Sequence, residues 1–196
     1  MKIIDVSLKW MKGLLGRKRT DAIVLHHAAM NGSVYDIHNM HIKQNGWAGI
    51  GYHFYVRKDG SIYRGRPIEK MGAHAEGFND STIGICFEGN FEKERMSDYQ
   101  KESGRFLIAH IRECYGKMLK IKRHSDLSAT ACPGKHFPFD EIGNVSDDEV
   151  VCRMFEDGII SLSNVPNWEI FLSGRAKVPG EYVRAIVERY QKKVTE

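Results

Sequence analysis

The chain has 196 residues, 42% of them hydrophobic and 28% charged, with a formal net charge of +4. These fractions suit a soluble globular fold with a real core, and the length suits one domain with room for a small second one. The charge is modest and forms no basic block interleaved with aromatics, which argues against a nucleic-acid groove but still favours approach to an anionic polymer.

No apolar run approaches the roughly 18 residues that span a membrane, so no membrane insertion is expected. Between Met1 and Leu15, Asp5, Lys9 and Lys12 interrupt the apolar residues. A secretory signal needs an unbroken apolar region of about 7–15 residues. The expectation is therefore synthesis in the cytoplasm without an ordinary export signal. Cys86, Cys114, Cys132 and Cys152 are widely spaced and form no C-x-x-C pair, so free or metal-binding thiols are expected rather than a disulfide framework.

In chain order, Ala22-Ile-Val-Leu25 is a short β-branched apolar run ending at His26 and His27, which reads as a buried strand. Ser33 caps a helix predicted from about Val34 to Asn45, with Ile37, Met40 and His41 on one face. Gly51 to Arg57 reads as a strand, Lys58-Asp59-Gly60 as a turn, and Ser61 to Arg64 as the returning arm of a hairpin. Thr82 to Phe87 is a further strand. Ser97 and Gln100 form a capping box opening a long helix that Gly116 suits as its end. Leu119 to Arg123 is a short strand delivering His124.

This alternation predicts an α/β domain over residues 1–143. Beyond it, Ser146 and Glu149 open a helix that stops at Gly158. A second helix from about Pro179 to Lys193 carries Val183, Ile186, Val187 and Tyr190 on one stripe. Residues 144–196 thus read as a small helical appendage that must dock on the main domain or on a second copy of the chain, so a homodimer through these helices is one expectation.

Three side chains stand out chemically. His26 ends a buried strand, His124 follows another, and Cys132 sits eight residues later in an irregular loop that can fold back beside His124. Two imidazoles and a thiolate suit zinc, and three protein ligands leave one tetrahedral position for water. Nine histidines and four cysteines supply many accidental triples, however. Local reading alone leaves a structural role open for each.

Longer stretches narrow this. Ile23-Val-Leu-His-His-Ala-Ala29, Gly46-Trp-Ala-Gly-Ile-Gly-Tyr-His-Phe54 and Asp59-Gly-Ser-Ile-Tyr-Arg-Gly-Arg-Pro67 are followed by Gly72-Ala-His-Ala75 and Asn79-Asp-Ser-Thr-Ile-Gly-Ile85. His124-Ser-Asp126 and Ala131-Cys-Pro-Gly134 complete the series. Over roughly residues 20–140 the chain resembles the type 2 N-acetylmuramoyl-L-alanine amidase family, which includes phage lysozyme-type amidases and peptidoglycan recognition proteins.

The resemblance implies a mixed central sheet flanked by helices, with an open groove for a glycopeptide and peptidoglycan as partner. It implies one zinc ion per chain on His26, His124 and Cys132, and it puts Tyr52 at the catalytic centre. His74 resembles a groove histidine of the family and is expected to contact substrate. Arg64 and Arg66 are candidates for peptide carboxylates, because guanidinium pairs with them bidentately.

Two positions depart from family patterns. Phage lysozyme-type members carry a lysine two residues before the cysteine ligand, where this chain has Thr130; a neutral hydrogen bond from Thr130 to the oxyanion is the expected substitute. Another branch has a general-base glutamate where this chain has Cys86, which shifts weight to Tyr52, with Glu88 as a secondary candidate. The implied reaction is hydrolysis of the muramoyl–L-alanine amide in a phage or prophage endolysin, an autolysin or a wall-recycling enzyme. The competing readings are a noncatalytic wall-binding module and a metal-free cysteine hydrolase. The tail resembles helical appendages that follow amidase domains in Gram-positive bacteria and their phages.

Overall fold

The computed structural model of the chain describes residues 1–115 and 119–143. The strands are β1 (Ile3–Ile4), β2 (Ala22–His27), β3 (Phe54–Val56), β4 (Ile62–Arg64), β5 (Thr82–Phe87) and β6 (Lys120–Arg123). The helices are α1 (Val34–Lys43), α2 (Asp98–Tyr115) and α3 (Phe139–Gly143). The strands form one mixed sheet in the order β1-β4-β3-β5-β2-β6. β3, β5, β2 and β6 run parallel, β4 is antiparallel to β3, and β1 is parallel to β4.

Local signals set most of these boundaries. Ser33 Oγ accepts the Asp36 N–H while Asp36 accepts the Ser33 N–H, a reciprocal cap that starts α1. Ser97 Oγ accepts the Gln100 N–H at the start of α2. In the hairpin, Arg57 N–H donates to Ser61 O at 2.9 Å and Gly60 takes a φ of +83°, which a side chain would resist.

Two departures have physical causes. The strand expected over Gly51–Arg57 shortens to β3, because the Gly51 N–H donates to His41 Nδ1 at 3.0 Å and the Gly51 carbonyl accepts from Ala73. Those main-chain groups are satisfied outside the ladder. β1 was not anticipated. It is too short for alternation to show, and it exists only through its pairing with β4.

Successive side chains on a strand point to opposite faces. Ile23, Leu25, Phe54, Val56, Ile83, Ile85 and Phe87 face α2, where they pack with Leu107, Ile108, Ile111 and Ile142. Tyr55 and Cys86 face the other way, packing with Val34 and Ile37 of α1 and with Trp10 and Tyr52. By the same alternation, Val24, His26 and Gly84 belong to the α1 face. No helix among the described residues is long and apolar enough to cross a membrane. The Gly116 cap and both helices expected beyond residue 144 lie outside the described residues.

Candidate metal centre and active site

β2 and β6 are parallel neighbours with Leu25 opposite Arg123, so both strands deliver their next residues, His26 and His124, to the same edge. Open α/β sheets place ligands at such carboxyl ends. A 3₁₀ turn, His124–Asp126, follows, and Ser125 N–H donates to the Cys132 carbonyl at 2.9 Å. That bond closes the loop and returns Cys132 to His124. One donor atom from each of His26, His124 and Cys132 lies within 4.8 Å of the others.

The donor set suits zinc in ligand type, and the His26–Cys132 pair suits it in spacing. Zn–N near 2.05 Å and Zn–S near 2.3 Å at the tetrahedral angle require an N···S separation of about 3.6 Å. His26 Nδ1 stands 3.7 Å from Cys132 Sγ. The imidazoles are also in the right state. Burial, helped by the neighbouring His74 and His124, drives His26 well below its ordinary pKa range, and burial lowers His124 as well. Both present neutral rings at neutral pH. Burial pushes the Cys132 thiol up to about 12, opposed by the His27 N–H that points at its sulfur from 3.4 Å. A divalent cation reverses that balance, since thiolate is the form that binds metal.

Around the donors stand the other expected residues. The Tyr52 ring lies 5.1 Å from that of His26 and 5.4 Å from that of His41. Burial, with the Cys86 and Cys132 thiols alongside, holds its phenol well above its ordinary pKa. Tyr52 is thus a proton donor in the ion-free protein. Thr130 is exposed, and its Oγ1 accepts the Cys132 N–H at 3.2 Å, which leaves the hydroxyl hydrogen free to donate outward.

Three expectations change, and Arg64 lies apart from the donors. His74 is not a groove residue: it is 6% exposed and sits behind His26, with His26 Nε2 and His74 Nδ1 3.0 Å apart. Arg66 is buried, and its three guanidinium nitrogens donate to the carbonyls of Ile50, Met71 and Gly49. It fastens loops and does not reach for a substrate carboxylate. Arg64 is paired with Asp5 on β4, three strands and about 14 Å of sheet from β2. Glu88 is no base: it is buried and accepts from Gly32 N–H, Lys58 N–H and the Arg57 guanidinium, which together overcome the burial that would raise its pKa.

Residues 16–135 match the protein family described as N-acetylmuramoyl-L-alanine amidase. The chain belongs to that family. The endolysin of Escherichia phage T7 is 32% identical over 126 residues, covering 60% of this chain and 82% of the phage protein. Peptidoglycan-recognition protein SC1a of Drosophila melanogaster is 33% identical over 138 residues, covering 65% of this chain and 74% of its own length. Among solved structures, N-acetylmuramoyl-L-alanine amidase LysC from Clostridium intestinale URNW aligns with a TM-score of 0.70 at 43% identity. That alignment covers 74% of this chain and 99% of the other.

Within this amidase-family fold, four other histidines act as main-chain acceptors, His41 from the Gly51 N–H among them. His38 Nδ1 accepts from Ile50 N–H, His53 Nδ1 from Gly84 N–H and His27 Nδ1 from Phe91 N–H. Sequence reasoning missed the peptide N–H of His27 as a donor to the cysteine ligand, and it missed the burial of His74. The available signal for the second was Gly84 on the α1 face of β5. A Cβ at that position would lie 2.7 Å from the His74 ring.

Proposed function

We propose that this chain is a zinc-dependent amidase that hydrolyses the bond between the muramoyl lactyl carbonyl and the L-alanine nitrogen of peptidoglycan. The His26, His124 and Cys132 donor set, spaced for one tetrahedral ion, is the observation that carries this reading. Family membership and the amidase and endolysin relatives support it.

A zinc ion on those three donors supplies Lewis acidity and a water of lowered pKa, near 7. The protein's own residues do the rest. Tyr52, at 5.1 Å from the His26 ring, orients the attacking water through its phenol and donates to the oxygen on which negative charge grows. Thr130 donates a second, neutral hydrogen bond to the same oxyanion. The His27 N–H fixes the Cys132 sulfur. We place the glycopeptide along the carboxyl ends of β2 and β6, beside the three donors. Arg66, buried and bonded to three carbonyls, has no part in it.

A metal-free cysteine hydrolase needs an accessible thiolate, and a thiol pushed up to about 12 opposes that. A noncatalytic recognition module lacks the complete ligand set that this chain retains. The biological setting we assign is a phage or prophage endolysin acting on the wall after release. Catalysis is assigned to residues 1–143. Deleting 144–196, with hydrolysis, wall adsorption and solution mass assayed separately, decides whether the tail targets the wall or joins two copies of the chain.

The test of function is release of new L-alanine amino groups from purified peptidoglycan. Release should stop with a chelator and return with zinc. Wall binding without new amines would establish the recognition module instead.

A further inference from the structure

His26 has two ring nitrogens and both are engaged. Nδ1 points toward Cys132 Sγ at 3.7 Å, and Nε2 lies 3.0 Å from His74 Nδ1. The two rings cross at 84° with centroids 5.0 Å apart, so this is an edge contact between nitrogens and not a stack. We propose that His74 is a positioning residue for the metal centre, accepting the His26 Nε2–H and thereby fixing which nitrogen of His26 presents a lone pair. This rests on the zinc reading above and adds the device that orients the buried ligand.

A neutral imidazole has one N–H and one lone pair. If Nδ1 of His26 binds a metal, its proton sits on Nε2 and needs an acceptor. His74 Nδ1 is that acceptor, so the proton of His74 is on its own Nε2. His74 Nε2 is buried and has no hydrogen-bond partner among the described residues, so the contact with His26 is the one hydrogen bond of this ring. The opposite assignment, with His74 Nδ1–H donating to His26 Nε2, would put the His26 proton on Nδ1 and block the metal.

The fold holds His74 in this pose. Its peptide N–H donates to Asn79 Oδ1 at 2.7 Å, and the Ala75 N–H donates to the same oxygen at 3.0 Å. Two glycines provide the space. A Cβ on Gly84 would stand 2.7 Å from His74 Cγ, and one on Gly72 would stand 2.8 Å from His74 Nε2. A ring so enclosed has no polar atom to offer a glycopeptide. Partners of this kind set ligand orientation and basicity, and their loss typically costs 10–100-fold in metal affinity.

The experiment measures the zinc affinity of the full chain by chelator competition, comparing wild type, His74→Leu and His74→Asn. Leucine fills the space without an acceptor, whereas the asparagine oxygen reaches the position of Nδ1. The expected result is a loss of about 10–100-fold for leucine, with asparagine recovering most of it and the ion-free melting temperatures staying close. Wild-type affinity in the leucine variant, or an equal loss in both variants, would overturn the proposal. Should the leucine variant not fold, ¹⁵N imidazole spectra of the zinc-loaded wild type decide. Protons on Nε2 of both His26 and His74 are expected, and a proton on His74 Nδ1 refutes it. Failure of the wild type to bind zinc at all would instead sink the amidase reading.

Discussion

The two faces of the sheet are made by alternate residues of the same strands, yet they do different work. Toward α2, Ile23, Leu25, Ile83, Ile85 and Phe87 meet Leu107 and Ile111 in an entirely apolar contact. Toward α1, the positions between them include His26, Gly84 and Cys86, and the space beyond holds Tyr52, His74 and Arg66. Burial that stabilises an isoleucine penalises a charge. Burial accordingly lowers the pKa of His26, His41, His53 and His74, and each is tied to a main-chain group or to another ring. One strand can thus serve as core through one set of side chains and as scaffold for chemistry through the other.

The sharpest way to break this division is Cys132→Ser. It removes the soft ligand from the α1 face while leaving the α2 core intact. Bound zinc, measured by elemental analysis after dialysis, should fall to background along with amine release, while the circular dichroism spectrum stays that of the wild type. A collapsed spectrum would mean the two faces are not separable.

Leu107→Ala attacks the other face. Emptying a fully buried leucine site should cost about 2–5 kcal/mol of unfolding free energy. Zinc affinity of the folded fraction should hardly move. Denaturant titration and chelator competition on the same sample give both numbers, and coupled losses would contradict the comparison.

Tyr52→Phe sharpens the catalytic side. Losing one preorganised donor to a developing oxyanion costs about 10²–10³-fold in rate, and zinc affinity should change little because Tyr52 is not among the three donors. A rate within a few-fold of wild type would reduce Tyr52 to a packing role.

The last prediction is a graded one, the linkage of zinc affinity to pH, with the smallest step per increment. With the Cys132 thiol pushed up to about 12 and His26 held well below its ordinary range, only the thiol must lose a proton when metal binds. Apparent zinc affinity should rise about tenfold for each pH unit between roughly pH 6 and 9, with one proton released per ion. Titration calorimetry in buffers of different ionisation enthalpy counts that proton. A flat profile would exclude Cys132 as a ligand.

Much of this arrangement was legible in the residues alone. The apolar run ending at His26, the Ser33 and Ser97 caps and the Lys58-Asp59-Gly60 turn are local features. Each depends on side chains within one strand, one helical turn or one bend, so order along the chain is enough to read them. The cluster of His26, His124 and Cys132 was legible as well, because each stands at a strand end or in the loop that follows. The pairings between distant residues, by contrast, exist only in the folded chain. His26 and His74 are 48 positions apart, and Arg57 and Glu88 are 31 apart. β1 forms only because β4 lies beside it. A side chain's exposure and hydrogen-bond partner follow from which surfaces the folded chain brings together. For that reason His74 and Arg66, polar residues that read as substrate contacts, are buried.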